Sequence, residues 1–145
     1  MKIRPYSDED NARLVDIWLA AVRATHEFLT EEDIQFFLPK LRDQYIPALE
    51  VYIAEDDDGQ LLGFSGLDGA NLEMLFIDPA HHGFGIGKLL VDHAVALKGP
   101  LKVDVNEQNP GALAFYLKCG FTQVGRSEFD GTGKPFPLLH LAQFG

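Results

Sequence analysis

Three glycines at alternate positions in the segment HHGFGIGK (residues 81–88) constrain this chain more than any other feature. They follow the apolar run NLEMLFID, which is typical of a strand, and precede an apolar stripe with helical spacing. Glycine inside a helix costs about 1 kcal/mol relative to alanine, so Gly83, Gly85 and Gly87 must serve another purpose. Free N–H groups at a helix start bind anions, and glycine lets a phosphate approach them. The segment therefore predicts a phosphate-binding loop.

Two common nucleotide-binding patterns do not fit this segment. The P-loop pattern requires Ser or Thr after Gly87-Lys88, where this chain has Leu89, and a glycine where it has His82. The dinucleotide pattern fails because Lys88 occupies the place of the third glycine. That fingerprint also usually opens the first strand–helix unit, whereas three strands and two helices are predicted before this segment. Binding of NAD or another nucleotide stays open as the weaker alternative.

The length, charge and composition of the chain indicate its domain count, its partners and its compartment. A chain of 145 residues predicts one domain spanning residues 1–145. The net charge of -10 argues against nucleic acid and would suit a cationic partner such as an amine. No apolar run approaches the roughly 20 residues that span a membrane, so we expect no membrane partner. The single cysteine, Cys119, fits a reducing compartment, and we expect a cytoplasmic protein.

Hydrophobic periodicity predicts the order β-α-α-β-β-β-α-β-α-β-β, a mixed α/β layer fold. The predicted strands are KIRPY, EVYIAED, LLGFSGL, NLEMLFID, LKVDV, FTQVGRSEF and FPLLHLAQF. Thr30 with Asp33 predicts a capping box at the start of the second helix, and Pro39 should kink or split that helix. Asn109 followed by Pro110 predicts an N-cap of the last helix.

Two motifs resemble those of a known family. LEMLFIDPAHHGFGIGKLLVDHA is similar to the acetyl-CoA-binding motif of the GNAT N-acetyltransferases, with Gly85 and Gly87 at its two small-residue positions. His82 stands where that family usually has Arg or Gln. VNEQNPGALAFYLKCGF resembles the second family motif, a strand and helix ending in Tyr and GF. The resemblance covers essentially the whole chain, and ATHEFL and GRSEFDGTGKPFPLL further resemble a small bacterial subgroup.

The resemblance implies a mostly antiparallel central sheet flanked by helices, with splayed central strands that hold the pantetheine arm of the coenzyme. It implies direct transfer of an acetyl group from acetyl-CoA to a primary amine in a ternary complex. A main-chain N–H near Leu75 would then stabilise the oxyanion. The implied coenzyme contacts are Leu75, Phe76, Ile77, His82, Gly83, Phe84, Gly85, Ile86, Gly87, Lys88, Asn106, Asn109 and Tyr116.

The same resemblance suggests two catalytic residues. Tyr116 is the candidate general acid for the leaving thiolate, although a tyrosine at this spacing is also typical of a core residue. Glu73 is the candidate general base, and a solvated carboxylate is the equal alternative. Strand alternation would put Glu73 on the face opposite Leu72 and Met74. Cys119 is expected to be a small buried residue rather than an acyl carrier.

The acceptor site is the least determined part. His26, Glu27 and Phe28 lie in a region that lines the acceptor pocket in related folds, and His26 or water could replace Glu73 as the base. The acceptor could be a small-molecule amine or a peptide amine.

The histidines show no metal-ligand spacing, so no metal is expected. The chain could be a monomer or a homodimer, and a non-catalytic acyl-CoA-binding or sensing module is the alternative function.

Overall fold

The computed structural model describes residues 1–25 and 29–144. Its strands are β1 (Lys2–Pro5), β2 (Glu50–Glu55), β3 (Leu61–Asp68), β4 (Asn71–Ile77), β5 (Lys102–Asn106), β6 (Thr122–Ser127) and β7 (Leu138–Ala142). Its α-helices are α1 (Asn11–Thr25), α2 (Glu31–Lys40), α3 (Ile46–Ala48), α4 (Ile86–Lys98) and α5 (Pro110–Lys118). The seven strands form one sheet in the order β1-β2-β3-β4-β5-β7-β6. Only β4 and β5 pair in parallel, which confirms the predicted mixed, mostly antiparallel sheet flanked by helices.

The predicted helix signals are present. The Thr30 hydroxyl accepts from the N–H of Asp33 at 3.1 Å, and the Asp33 carboxylate accepts from the N–H of Thr30 at 3.1 Å. Helix α2 ends at Lys40, directly after Pro39, and the chain continues as a π-helical turn over residues 41–45 before α3. Pro39 has no N–H to donate, so the prediction that it interrupts this helix is confirmed.

The core lies on both faces of the sheet. Helices α1 and α2 pack on strands β2 to β4, and this cluster is built from Leu14, Ile17, Trp18, Val22, Ile34, Leu41, Ile46, Val51, Ile53, Phe64 and Met74. Helices α4 and α5 cover the opposite face, where the cluster contains Leu67, Leu72, Val91, Ala94, Leu101, Val103, Val105, Tyr116, Phe121, Leu139 and Leu141. The alternate residues of β5, Lys102 and Asp104, are exposed on the face that α4 and α5 do not cover.

A β-bulge in β4 changes the faces that simple alternation predicts. Gly66 pairs with Met74 and Leu67 pairs with Leu72, so Glu73 is an extra residue without a partner in the ladder. Leu72 therefore packs under α4 and α5, whereas Met74 packs under α1. The expectation that Leu72 and Met74 share one face was wrong, because a bulge shifts the two-residue repeat by one.

Strands β4 and β5 separate soon after they meet. Only two residue pairs join them, Asn71 with Lys102 and Leu72 with Val103, and beyond Leu72 strand β4 pairs with β3 alone. The predicted splay between the central strands is thus present, and it opens toward the carboxyl end of β4. The glycine-rich loop starts at that end.

Within residues 1–25 and 29–144, no helix combines the length and apolar character needed to cross a membrane.

Candidate functional site

The larger of two neighbouring cavities, here the first cavity, has a volume of about 550 Å³ and lies at the splay. Its walls come from the end of β4, the glycine-rich loop, the start of α4 and the helix α5. The lining residues are Ala21, Leu75, Phe76, Ile77, His81, His82, Gly83, Gly85, Ile86, Gly87, Lys88, Asn109, Gly111, Ala112, Phe115 and Tyr116.

The three glycines have two different structural roles. Gly83 and Gly85 adopt φ angles of 87° and 76°, which other residues rarely adopt, and Gly85 is the N-cap of α4. Gly87 has an ordinary φ, but a Cβ there would lie 3.1 Å from the ring of Phe115 on α5. The glycines therefore bend the chain into the helix and let α5 pack closely on it. The first N–H groups of α4 have no acceptor within the helix, so they are available to an anion in the cavity.

Most of the predicted coenzyme contacts line the first cavity. Phe84 does not, and its side chain is 69% exposed. Asn106 does not either, and it lines the second cavity described below. The cavity is also lined by five residues that were not among the predicted contacts: Ala21, His81, Gly111, Ala112 and Phe115. Phe115 could have been found from Gly87, because a glycine inside a helical stripe indicates a close neighbour; nothing in the sequence points to Ala21.

Tyr116 lines the first cavity and is only 7% exposed. Its ring makes edge contacts with Phe115 and Phe121, at centroid distances of 5.2 and 5.3 Å. Burial, and then the nearby charge of Cys119, raise the pKa of Tyr116 above its usual value. The phenol therefore stays protonated and can donate a hydrogen bond into the cavity at any pH near neutrality. Tyr116 is thus a core residue whose side chain also lines the first cavity, and its role as the general acid stays a prediction.

Asn109 has a structural task that leaves part of its side chain available. Its side-chain oxygen accepts from the N–H of Ala112 at 3.1 Å, which confirms the predicted N-cap of α5. The side-chain NH₂ group is not used by this cap, and Asn109 lines the first cavity.

The second cavity has a volume of about 230 Å³ and lies on the α1 and α2 side of the sheet. Ten of its lining residues are apolar or aromatic, and three are polar. The lining residues are Trp18, Val22, Leu29, Phe37, Leu41, Tyr45, Glu73, Met74, Phe76, Asn106, Asp130, Phe136 and Leu138.

Among the polar residues that line the second cavity, Glu73 has a clearly shifted pKa. Glu73 is an exposed residue, but desolvation of its carboxyl group beside the cavity wall raises the pKa, and the negative charges of Asp104 and Asp68 raise it further. A carboxylate with a raised pKa binds a proton more readily near neutral pH, as a general base requires. The bulge places this side chain in the second cavity.

The loop between β6 and β7 closes one side of the second cavity. The Asp130 Oδ1 atom accepts from the N–H of Thr132 at 2.9 Å and from the N–H of Lys134 at 3.0 Å, which fixes a tight turn. Lys134 Nζ lies 3.6 Å from Asp33 and 4.5 Å from the ring centroid of Phe36. The turn is therefore held against α2, and Asp130 of this turn lines the second cavity.

Strand β4 separates the two cavities, and Phe76 lines both. Cys119 lines neither, and burial raises the pKa of its thiol, so nothing here favours an acyl-cysteine. Residues 26–28, which include the predicted acceptor residues His26, Glu27 and Phe28, lie outside the described residues. In the part of the chain that the structure describes, no group of three His, Cys, Asp or Glu side chains could hold a metal ion.

Comparison with known proteins gives consistent matches. Residues 47–123 match the family model described as an acetyltransferase (GNAT) domain. The chain is 42% identical over 145 residues to the peptidyl-lysine N-acetyltransferase YjaB of Escherichia coli, covering 100% of this chain and 98% of that protein. It is 43% identical over 141 residues to YjaB of Salmonella typhimurium, covering 97% of each. The solution structure of the apo form of E. coli YjaB superposes with a TM-score of 0.92, covering 99% of this chain and 97% of that one.

Proposed function

Because this chain belongs to the GNAT family and transfers an acetyl group from acetyl-CoA to an amine, we propose that its acceptor is a lysine side chain of a peptide or protein. The YjaB proteins of E. coli and S. typhimurium, both named peptidyl-lysine N-acetyltransferases, match over nearly the full length of this chain. The named acceptor of these relatives is a peptidyl lysine, and the residues that line the second cavity support the same acceptor for this chain.

The observation that carries the proposal is the composition of the second cavity. Its lining is mostly apolar or aromatic, with Glu73 and Asp130 as its two carboxylates. A lysine side chain has the same division, with an apolar four-carbon stem and a cationic end. A polyamine would need further negative groups along its length, whereas most of this lining is aliphatic or aromatic.

The first cavity is the proposed site of acetyl-CoA. Its pyrophosphate would lie on the N–H groups from His82 to Lys88, and its pantetheine arm would follow β4 from Leu75 to Ile77. Asn109, which lines this cavity, would contact the arm, whereas Asn106, which lines the second cavity, would contact the acceptor. The acetyl group would then sit near Phe76, the residue that both cavities share.

The proposed reaction uses three groups of this chain. Glu73 takes a proton from the lysine ammonium, and the free amine attacks the thioester carbonyl. The N–H of Leu75 stabilises the oxyanion, as the resemblance implies. Tyr116 donates a hydrogen bond to the sulfur as the C–S bond breaks, and the raised pKa of its phenol favours this role over complete loss of its proton. As the C–S bond breaks, the nitrogen gives its extra proton to water and the leaving thiolate takes a proton from water, so the products are an acetyl-lysine and coenzyme A.

The test is an acceptor screen that measures acetyl-CoA-dependent thiol release. One peptide has a blocked N-terminus and one lysine, a second has a free N-terminus and no lysine, and spermidine is the third acceptor. We expect kcat/KM to be highest for the lysine peptide, with acetylation at Nζ in the mass spectrum. Preference for the free N-terminus or for spermidine would overturn the lysine assignment while leaving acetyl transfer in place.

A non-catalytic acyl-CoA sensor is disfavoured by the full-length match to a named acetyltransferase. A cytoplasmic location is supported by the single cysteine, which suits a reducing compartment.

A further inference from the structure

Three side chains on the open face of strands β5, β7 and β6 form a hydrogen-bonded row that lines neither cavity. Ser127 Oγ lies 2.7 Å from His140 Nε2, and His140 Nδ1 lies 2.6 Å from Asp104 Oδ1. The sheet register explains the arrangement, because Asp104 and His140 are direct partners across β5 and β7. His140 also faces β6, two positions from the pair formed by Ser127 and Leu138.

The partners of His140 determine which ring nitrogen carries the proton. An ionised Asp104 carboxylate can only accept, so it receives a hydrogen bond from Nδ1–H. In the neutral ring Nε2 is then the acceptor, and it receives the hydroxyl proton of Ser127. This order of serine, histidine and carboxylate, with the same two ring nitrogens in the same roles, is the arrangement that activates a serine nucleophile.

Strand β6 leaves room for the His140 ring in this row. A Cβ at Gly125, the partner of His140 on β6, would lie 3.3 Å from the imidazole, so the glycine leaves room for the ring. A bulge in β6 between Gln123 and Gly125 precedes Ser127, and bulges often re-aim side chains next to active sites.

Solvent reaches the three side chains, and two main-chain N–H groups beside Ser127 are free, in the described part of the chain, to donate hydrogen bonds. The side chains of Asp104 and His140 are 55% and 34% exposed, so solvent reaches the row. Ser127 is half-buried at the last position of β6. The main-chain N–H groups of Glu128 and Phe129, which follow it, donate no hydrogen bond to any other described residue. They are the donors available to an oxyanion formed beside Ser127.

We propose that Ser127 is an activated nucleophile and that Ser127 and His140, positioned by Asp104, form a second catalytic site that hydrolyses small acyl esters. The Ser127 oxygen bonds to the acyl carbon while its proton moves to His140 Nε2. The ester C–O bond breaks, and the departing alcohol takes that proton. Water then repeats the sequence on the acyl-serine, releasing the carboxylic acid and restoring the hydroxyl. The step needs no oxidant, reductant or coenzyme, so it is independent of acetyl-CoA.

The test uses p-nitrophenyl acetate as the ester and a fluorophosphonate as the serine-reactive probe, both with the full-length protein. We expect release of p-nitrophenol to fall at least about tenfold in Ser127→Ala and in His140→Gln. The phosphonylated peptide of the wild-type protein should contain Ser127. Ser7→Ala is the matched control, because Ser7 is an exposed hydroxyl that hydrogen-bonds to Asp10 but to no histidine.

Two further measurements keep the result interpretable. Thermal unfolding of each variant identifies loss of fold, and acetyl transfer to a lysine peptide by Ser127→Ala should match the wild type. Ester hydrolysis that is equal in wild type and Ser127→Ala would overturn the proposal. Probe labelling that is absent, or that persists in a folded His140→Gln variant at the wild-type rate, would also overturn it.

Discussion

The two cavities beside β4 are built in different ways. The first is formed mainly by one continuous stretch, residues 75–88, with α5 packed against it. The groups that we propose as its ligand contacts are main-chain N–H groups. The second is formed by side chains from α1, α2, the π-helical turn, β4, β5, β7 and the loop before β7. A site made of main chain leaves a local pattern of glycines in the sequence, whereas a site made of side chains from distant elements leaves none.

The two cavities also differ in the charge that their walls offer to a ligand. The start of α4 offers N–H groups and a positive dipole end to an anion. On the other side of β4, Glu73 and Asp130 offer negative charge to a cation. One strand therefore separates a proposed phosphate-binding side from a proposed ammonium-binding side, and substitutions on each side should change different kinetic constants.

The largest effect is expected at the phosphate-binding loop. Gly85→Val forces a branched residue into a φ of 76° and adds bulk next to the first N–H groups of α4. We expect the Kd for acetyl-CoA, measured by calorimetric titration, to rise about hundredfold, or roughly 2.7 kcal/mol. Gly59→Val is the matched control, because Gly59 has a φ of 79° in the β2–β3 turn, away from both cavities. An equal loss of affinity in both variants would refute a local role of the loop.

The next largest effect is expected on the other side of β4. Glu73→Gln removes the proposed base, so kcat with a lysine peptide should fall by about 10² to 10³. The Kd for acetyl-CoA should stay within about twofold, since Glu73 lines only the second cavity. Asp68→Asn, a nearby exposed carboxylate that lines neither cavity, should keep most of the activity. A Glu73→Gln variant with wild-type kcat would assign the base to another group.

The contrast between the cavities explains how much the sequence could predict. The order of elements, the capping box at Thr30, the N-cap at Asn109 and the splay follow from local patterns and from the resemblance to a family. The bulge at Glu73 does not, because it arises from pairing between β3 and β4. The row from Asp104 to Ser127 was missed for a related reason, since its members are far apart in sequence and meet only through strand register.

A smaller effect is expected at Tyr116. Tyr116→Phe removes one hydrogen bond to the leaving sulfur, so kcat should fall about tenfold to hundredfold while the Kd for acetyl-CoA changes little. Because the pKa of Tyr116 is raised above its usual value near 10, kcat of the wild type should show no loss from tyrosine ionisation up to about pH 10. Steady-state kinetics across pH measure both. Tyr52→Phe, outside both cavities, is the control.

The smallest expected effect concerns pH. The charge of Asp104 helps to raise the pKa of Glu73, so Asp104→Asn should lower that pKa. The base then stays ionised to lower pH, and the acid limb of the kcat/KM profile should move to lower pH. Asp68→Asn should shift the limb in the same direction by less, because Asp68 contributes less to the raised pKa. A shift to higher pH in either variant would contradict Glu73 as the group that sets this limb.

In the proposed reaction, acetyl transfer takes place directly between the two cavities, next to Phe76. Titration with a bisubstrate analogue tests it most directly, using a blocked peptide whose lysine Nζ is joined through an acetyl bridge to the sulfur of coenzyme A. If both arms are held at once, the analogue should bind at least about a hundredfold more tightly than coenzyme A alone, because the second arm binds intramolecularly. An analogue that binds no more tightly than coenzyme A would contradict the account.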